Sequence, residues 1–325
     1  MEIKIDKQNQ GERLDKFLSS LLKDLSRSQI QKKIKSGEIK IEGREVPPHY
    51  FLRTGEIIEI KEKNEQEKNN KIKTGEKLFK KIKVIAEEKD FLIIYKPVGL
   101  VVHSAPGVKD FTLVDYLLKK YPDIKKVGED CARSGLVHRL DKEVSGLIVV
   151  ARNQKSFLNL KKQFQNREVE KEYIALVHGQ IENQTDTIDF PIKRSTKGFK
   201  MAAVPHSYQE NEQIREAKTH LTVLEKYTNI TLIKLKIETG RTHQIRVHML
   251  AYGHPVVGDP VYKIKGSERG DAKLFTQKQL PARLYLEAVS LSFKDLSGQR
   301  RKFKIQNQFK KEMEELNVRG GSKNN

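Results

Sequence analysis

Apolar and polar positions alternate along this chain in two distinct ways. In the first sixty residues the spacing is helical. Leu14, Phe17, Leu18 and Leu21 recur at i, i+3, i+4 and i+7, which predicts an amphipathic helix. Ser26 opens a second one, with Gln29 three residues on as a capping-box partner, Ile30 and Ile34 on the inner face and Gly37 as its stop. Arg27, Lys32, Lys33 and Lys35 fall on the outer face. Short strand-like runs follow at Ile39–Ile41 and Glu56–Ile60. This makes a module of residues 1–60 with a basic face. Residues 61–79 are rich in Lys, Glu and Asn, and a Lys-rich linker is expected there.

Beyond the linker the runs are mostly strand-like. Ile82–Ala86, Phe91–Tyr95, Tyr173–Val177, Thr219–Leu224, Ile230–Ile237 and Leu284–Phe293 predict strands. The unbroken apolar run Leu147–Ala151 predicts a strand buried on both faces. Leu113–Leu118, Phe157–Phe164 and Thr242–Tyr252 have helical spacing, the last ended by Gly253. A second domain over 80–310 is expected, then a polar C-terminal tail over 311–325, with Val318–Asn325 expected to be disordered.

Composition narrows the partner. The chain has 325 residues, with 63 Lys and Arg against 43 Asp and Glu, a formal charge of +20. That excess points to a polyanion. Mean hydropathy is −0.65, yet the apolar residues come in periodic blocks, so folded domains with charged surfaces are expected. One cysteine, Cys131, excludes an intramolecular disulfide framework and a multi-cysteine zinc finger. No run approaches the ~18 apolar residues of a membrane span. The first ten residues have no apolar signal core. A cytoplasmic monomer without membrane contact is the expectation.

The densest chemistry lies in Gly135-Leu-Val-His-Arg-Leu-Asp-Lys-Glu-Val-Ser-Gly146. A kinase catalytic loop needs His-Arg-Asp and an Asn five residues later; here Leu140 intervenes and Gly146 stands at that place. Asp141 instead reads as a loop carboxylate beside basic residues, either a nucleophile or base or a surface ion pair with Arg139 or Lys142. The second block is Thr239-Gly-Arg-Thr-His-Gln-Ile-Arg-Val-His248, followed by Gly253-His-Pro-Val-Val-Gly-Asp259. If Thr242 caps the helix, His243, Arg246 and Leu250 share one face and Ile245 and Met249 another. His243, His248 and His254 lack the spacing of a zinc helix, and Gly253, Pro255 and Gly258 read as loop-shaping. Neither a phosphate-binding P-loop nor a Gly-x-Gly-x-x-Gly after a strand occurs, so no nucleotide cofactor, metal or other cofactor is expected.

Taken together the blocks resemble one family. Arg133 to Gly146 resembles the signature loop of RluA-type RNA pseudouridine synthases. Tyr95-Lys-Pro-Val-Gly-Leu-Val-Val-His103 is similar to their preceding strand and loop. Lys171-Glu-Tyr-Ile-Ala-Leu-Val-His-Gly179 resembles the strand with their active-site tyrosine. Gly240–His248, Gly253–Asp259 and Arg283-Leu-Tyr-Leu-Glu-Ala288 match in order. Glu12–Leu18 and Ser26–Gly43 are similar to an S4 RNA-binding domain. The chain departs from the family pattern at Ser104 and Ser134, where Pro is frequent, at Val144, where Thr is usual, and at Glu287, where His is frequent.

The resemblance implies an α+β fold: a catalytic domain with a mixed, mostly antiparallel sheet and a small N-terminal α/β S4 domain. It implies isomerisation of uridine within structured RNA, foremost large-subunit ribosomal RNA and next transfer RNA. Asp141 would carry the essential carboxylate, attacking the sugar, attacking the base or removing a sugar proton. Tyr173 would stack on the uracil and assist removal of its C5 proton, and Arg246 would pair with Asp141. Arg139, His138 and Arg241 would contact the substrate RNA, as would Arg13, Arg27 and Lys33 of the S4 domain. The competing readings are a non-catalytic RNA-binding or ribosome-assembly protein and, more distantly, a metal-dependent nuclease.

Overall fold

The computed structural model describes residues 1–23, 25–61, 75–104, 111–195, 200–205, 207, 214–264 and 282–320, the side chains of 316–320 excepted. The chain divides into two compact units, residues 1–77 with 103–112, and residues 78–102 with 113–325. The expected linker falls largely on residues 62–74, outside the described residues.

In the first unit, strands β1 (Glu2–Lys4), β2 (Ile39–Ile41) and β3 (Ile57–Ile60) form an antiparallel sheet in the order β1-β3-β2. Helices α1 (Leu14–Leu21) and α2 (Arg27–Lys35) pack with it around Leu14, Leu18, Ile30, Ile34, Ile39 and Ile58. The expected capping box closes α2: Ser26 N–H donates to Gln29 Oε1 at 2.8 Å. Leu21 departs from the helical stripe and is 48% exposed, because α1 ends there.

Asp15 carries the polar logic of this unit. It lies on the buried side of α1, fully inaccessible, in a stripe otherwise apolar. Arg13 donates to it twice at 3.2 and 3.1 Å, Arg27 at 3.1 and 3.0 Å, and Gln31 at 2.6 Å. One carboxylate thus ties the start of α1 to α2. Burial alone would raise its pKa; the bonds from Gln31, Arg27 and Arg13 outweigh this and hold it below the ordinary aspartate value.

The second unit is built on a nine-stranded sheet. Its strands are β4 (Lys83–Glu87), β5 (Phe91–Lys96), β6 (Ser145–Ala151), β7 (Glu170–His178), β8 (Thr185–Ile188), β11 (Thr219–Lys226), β12 (Ile230–Ile237), β13 (Leu286–Lys294) and β14 (Arg300–Lys304). The order is β4-β5-β6-β13-β7-β12-β11-β8, with β14 also paired to β13. Among the described residues only the β6–β13 pair is parallel, so the sheet is mixed and mostly antiparallel as expected. A separate ribbon joins β9 (Ile192–Arg194) to β10 (Met201–Ala203). Helices α3 (Leu113–Lys120), α4 (Gln154–Gln165), α5 (Gln244–Ala251) and α6 (Phe309–Gly320) complete the unit.

All seven residues of β6 are buried, which explains its unbroken apolar sequence. At its start Gly146 has φ 122°, and a Cβ there would lie 2.2 Å from the Ala288 carbonyl oxygen. Glycine alone allows β13 to come this close, and the junction fixes where the preceding loop, residues 141–144, leaves the sheet.

Two expectations are corrected. The polar tail expected over 311–325 is in large part helix α6, because Phe309 and Met313, one turn apart, bury against Tyr285 and Tyr227; residues 321–325 lie outside the described residues. Strands β1, β8, β9, β10 and β14 were not foreseen: β14 reads Arg-Arg-Lys-Phe-Lys, and only Phe303 marks it as apolar.

Asp15→Asn keeps the volume and removes the charge that Arg13 and Arg27 share. Lost hydrogen bonds between charged groups are worth about 1.5–3 kcal/mol each, so amide protection in α1 and α2, followed by hydrogen exchange, should fall by at least tenfold. In the wild-type protein this contribution is present above the unfolded aspartate pKa and is lost as pH falls through the lower folded value; the Asn variant should lack that acid-side loss.

Candidate active site

The loop before β6 and helix α5 meet over one cavity, lined among others by Arg139, Asp141, Val144, Tyr173, His243 and Arg246. The 141–144 turn is closed by Val144 N–H donating to the Asp141 carbonyl at 3.2 Å. Its next residue is anchored from below. Lys96, at the end of β5 and fully buried, donates to the carbonyls of Pro97, Leu100 and Lys142 at 3.0, 2.9 and 3.2 Å. Gly99 N–H adds a bond to the Lys142 carbonyl at 2.8 Å. Burial brings the Lys96 ammonium down to about 7, against the pull of Asp141 and Glu143.

Helix α5 delivers Arg246 to the same point. Gln244, the first residue of the helix and buried, fixes the entry: it accepts from Thr239 Oγ1 at 2.7 Å and donates to the Lys218 carbonyl and Thr219 Oγ1, both at 3.0 Å. Arg246 is 1% exposed. Its fork grips Asp259, Nε to Oδ2 at 2.7 Å and Nη2 to Oδ1 at 2.8 Å. Nη1 alone reaches Asp141 Oδ2, at 3.3 Å, with Glu143 3.9 Å away. Asp259 Oδ1 also accepts the amide N–H groups of Val261 and Tyr262 at 2.8 and 3.0 Å. The guanidinium sits 5.1 Å from the Tyr262 ring centre. Burial opposes its charge, but the bonds and charges of Asp259 and Asp141 reverse this and raise its pKa.

Arg246 therefore pairs with Asp141 as expected, but the planar fork belongs to Asp259. Sequence reasoning left Asp259 as the end of a shaped loop. The signal was the isolated acid after Gly258 in a segment that follows Arg246 by 13 residues, and nothing in the spacing says that the turn brings it back. Lys96 was likewise missed inside its motif, although a lysine closing an apolar strand asks where its charge goes. The N-cap of α5 is His243, not Thr242, with φ 55°.

Tyr173 lines the cavity beside Asp141 and is 8% exposed. Burial, and then the Asp141 charge, push its phenol well above the ordinary value, so it stays protonated. Arg139 is exposed and lines the same cavity; Asp141 pairs with Arg246 rather than with it. Arg241 lines the cavity and donates through Nε to the Glu216 carbonyl at 3.0 Å. His138 faces a neighbouring cavity, where Nε2 accepts the Val149 N–H at 3.1 Å and the ring stacks 4.6 Å from Phe164. Burial and then the Lys171 charge bring it down to about 3, a neutral ring that pins β6. Arg13 and Arg27 spend their hydrogen bonds on Asp15, and Lys33 pairs with Glu38 at 2.5 Å. Lys32 and Lys35 are exposed.

The three histidines point apart: His243 Nδ1 to Tyr262 Oη, His248 to Thr219 and the Phe190 carbonyl, His254 Nδ1 to the His178 carbonyl. Glu287 is 5% exposed and accepts from Tyr95, Ser145 and Asn307 at 2.9, 3.0 and 2.7 Å, which ties β13 to β5 and β6. Val144 packs in the cavity wall. Among the described residues no helix is long and apolar enough to cross a membrane.

Comparison with known proteins places this geometry. A family profile described as RNA pseudouridylate synthase matches residues 90–251, and an S4 domain profile matches residues 12–58. An RNA pseudouridine synthase of Aquifex aeolicus is 40% identical over 270 residues, covering 82% of this chain and 81% of that protein. Ribosomal large subunit pseudouridine synthase D of Pseudomonas aeruginosa is 39% identical over 255 residues, 78% of this chain and 74% of that one. The solved structure of human RNA pseudouridylate synthase domain containing 1 superposes with a TM-score of 0.55 at 28% identity, over 70% of this chain and 84% of that one.

Removing Asp259 leaves a buried guanidinium half-paired. Asp259→Ala should lower stability by about 3–5 kcal/mol, measured by urea unfolding. Asp259→Asn, which keeps one acceptor, should cost less. A loss within experimental error in the Ala variant would mean that Asp141 alone compensates Arg246.

Proposed function

This chain belongs to the RNA pseudouridine synthase family, and we propose that it isomerises uridines of large-subunit ribosomal RNA through Asp141. The family is one of isomerases that break the N1–C1′ bond of a uridine in RNA and join C5 to C1′. The ribosomal assignment rests on relatives of 36–39% identity named ribosomal large subunit pseudouridine synthase D. The observation that carries the catalytic reading is the placement of Asp141. It is a carboxylate, 17% exposed, at a cavity whose buried cation is already held by a second carboxylate.

The arrangement supports the reaction in three ways. Arg246, clamped by Asp259, presents one N–H to Oδ2 and so orients the Asp141 carboxylate at the cavity. The guanidinium cannot swing away when the substrate arrives, because its other two contacts are bidentate and buried. Tyr173, held as a neutral phenol, offers a flat face for the extruded uracil and a hydrogen-bond donor. The same protonation argues against a ready-made base for the C5 proton in the free enzyme. Flipping the target uridine costs a few kcal/mol, which stacking offsets. Arg139 and Arg241, on the cavity rim, suit phosphate contact.

The S4 domain supplies affinity and placement in this reading. Its exposed Lys32 and Lys35 join Arg13 and Arg27, whose charges Asp15 partly offsets.

The deciding experiment incubates purified protein with unmodified ribosomal and transfer RNA transcripts and maps pseudouridine in each. Product in large-subunit RNA supports the reading; product confined to transfer RNA replaces it. Asp141→Asn should abolish turnover while RNA affinity stays within about threefold, since volume is kept and charge lost. Tyr173→Phe should slow chemistry more than it weakens binding, and Tyr173→Leu should harm both.

Deleting residues 1–60 should leave a folded second unit that still acts on accessible uridines, with weaker binding and poorer site choice. The slope of log K against log salt should become shallower by about 0.7–0.9 for each lost phosphate contact. An unchanged slope with unchanged site choice would remove the S4 domain from the substrate interface.

A further inference from the structure

One side chain at Asp141 is left without a task by the roles given above. His243 begins α5 in the left-handed region, φ 55°, a conformation that costs a non-glycine residue about 1 kcal/mol or more and recurs where a site needs a side chain aimed. The ring is 18% exposed and lines the cavity with Asp141 and Tyr173. Its Nδ1 is 2.8 Å from Tyr262 Oη, and its Nε2 is 3.9 Å from Asp141 Oδ2.

The hydrogen bonds decide which nitrogen holds the proton. Tyr262 Oη accepts the Met201 amide N–H at 2.9 Å. Among the described residues the acceptor left for its own hydrogen is His243 Nδ1. The groups facing the ring are Asp141, Arg246, Asp259 and Glu143; burial outweighs the two-way pull of these charges and keeps the imidazole below its ordinary value. A neutral ring that accepts at Nδ1 carries its proton on Nε2. The cavity therefore presents an N–H donor and a carboxylate acceptor 3.9 Å apart, too far to bond each other.

An oxygen about 2.8 Å from each would fit between them. It must donate to the carboxylate and accept from the N–H. On uridine, N3–H only donates and the carbonyl oxygens only accept. The ribose 2′-hydroxyl does both, and it sits on the carbon next to C1′, where the glycosidic bond is exchanged. We propose that His243 Nε2 and Asp141 Oδ2 form a subsite for the 2′-hydroxyl of the target uridine, making His243 the residue that reads ribose. This rests on the assignment of Asp141 as the reacting carboxylate. It also divides the labour of that carboxylate. Oδ2 is committed to Arg246 and the hydroxyl, and Oδ1, which receives no hydrogen bond among the described residues, is left for the reacting centre.

The test is a double-mutant cycle between enzyme and substrate. Stem-loop RNA bearing the mapped target uridine is synthesised with ribose or 2′-deoxyribose at that residue alone. Single-turnover rates are compared for wild type, His243→Ala, His243→Gln and Tyr262→Phe, each checked for a native thermal melt. Any intrinsic effect of the missing hydroxyl on the chemistry is common to all enzymes and cancels. The penalty for 2′-deoxy should be about five- to tenfold larger in wild type than in His243→Ala, the size of one hydrogen bond between neutral groups. Gln, whose amide nitrogen reaches near the Nε2 position, should keep part of the difference. Tyr262→Phe, which frees the ring to change tautomer, should lose part of it. Equal penalties in wild type and His243→Ala overturn the subsite. Should the Ala variant fail to fold, an undiminished penalty in Tyr262→Phe does the same. Failure of the parent reading looks different: wild type would then form no pseudouridine on the all-ribose RNA, and the subsite would fall with it.

Discussion

A guanidinium that is 1% exposed needs its charge answered where it sits, and Asp259 answers it with two short bonds. Much of the second unit is arranged around that requirement. Helix α5 enters through Gln244, which is pinned to Thr239, Lys218 and Thr219, so that Arg246 points into the sheet rather than out. The turn after α5 brings Asp259 back beneath the helix, and two amide N–H groups of that turn complete the carboxylate's acceptors. Breaking such a pair is far more costly than never having built it. The pair therefore acts as a locating pin more than as a source of stability, and Asp141 takes its position from what the pin leaves unsatisfied.

The Asp141 loop is held independently from the other side. Lys96 and Gly99 bond the Lys142 carbonyl, and the close approach of Gly146 to Ala288 sets where the loop joins β6. Two rigid supports thus converge on one cavity, one from β5 and β6 and one from α5. In the proposed reaction, a carboxylate fixed between them would lose little freedom when substrate arrives. Glu287 adds a third tie. Its carboxylate, accepting from Tyr95, Ser145 and Asn307, joins the strands that flank the loop.

Much of this was legible in the chain. The spacing of Leu14, Phe17 and Leu18, the capping box at Ser26, the unbroken run into Ala151 and the stop at Gly253 each encode a local choice with a local cause. The charged strand Arg300–Lys304 was not legible, since its identity comes from pairing with β13 rather than from its own pattern. Helix α6 was hidden for a similar reason. Among its described side chains only Phe309 and Met313 are buried, and two residues in a polar segment are not a period.

The sequence by itself determined the family likeness, the net positive charge, the candidacy of Asp141, Tyr173 and Arg246, and most of the strands, because these depend on residue type and near-neighbour spacing. Tertiary structure alone decided which acid Arg246 grips, which hydroxyl His243 Nδ1 meets, and that Arg13 and Arg27 serve a buried aspartate as well as the solvent. Each of those is a contact between groups whose meeting depends on the closed fold. Hydrogen-bond partners are chosen by distance and direction at about 3 Å, and no pattern along the chain specifies that.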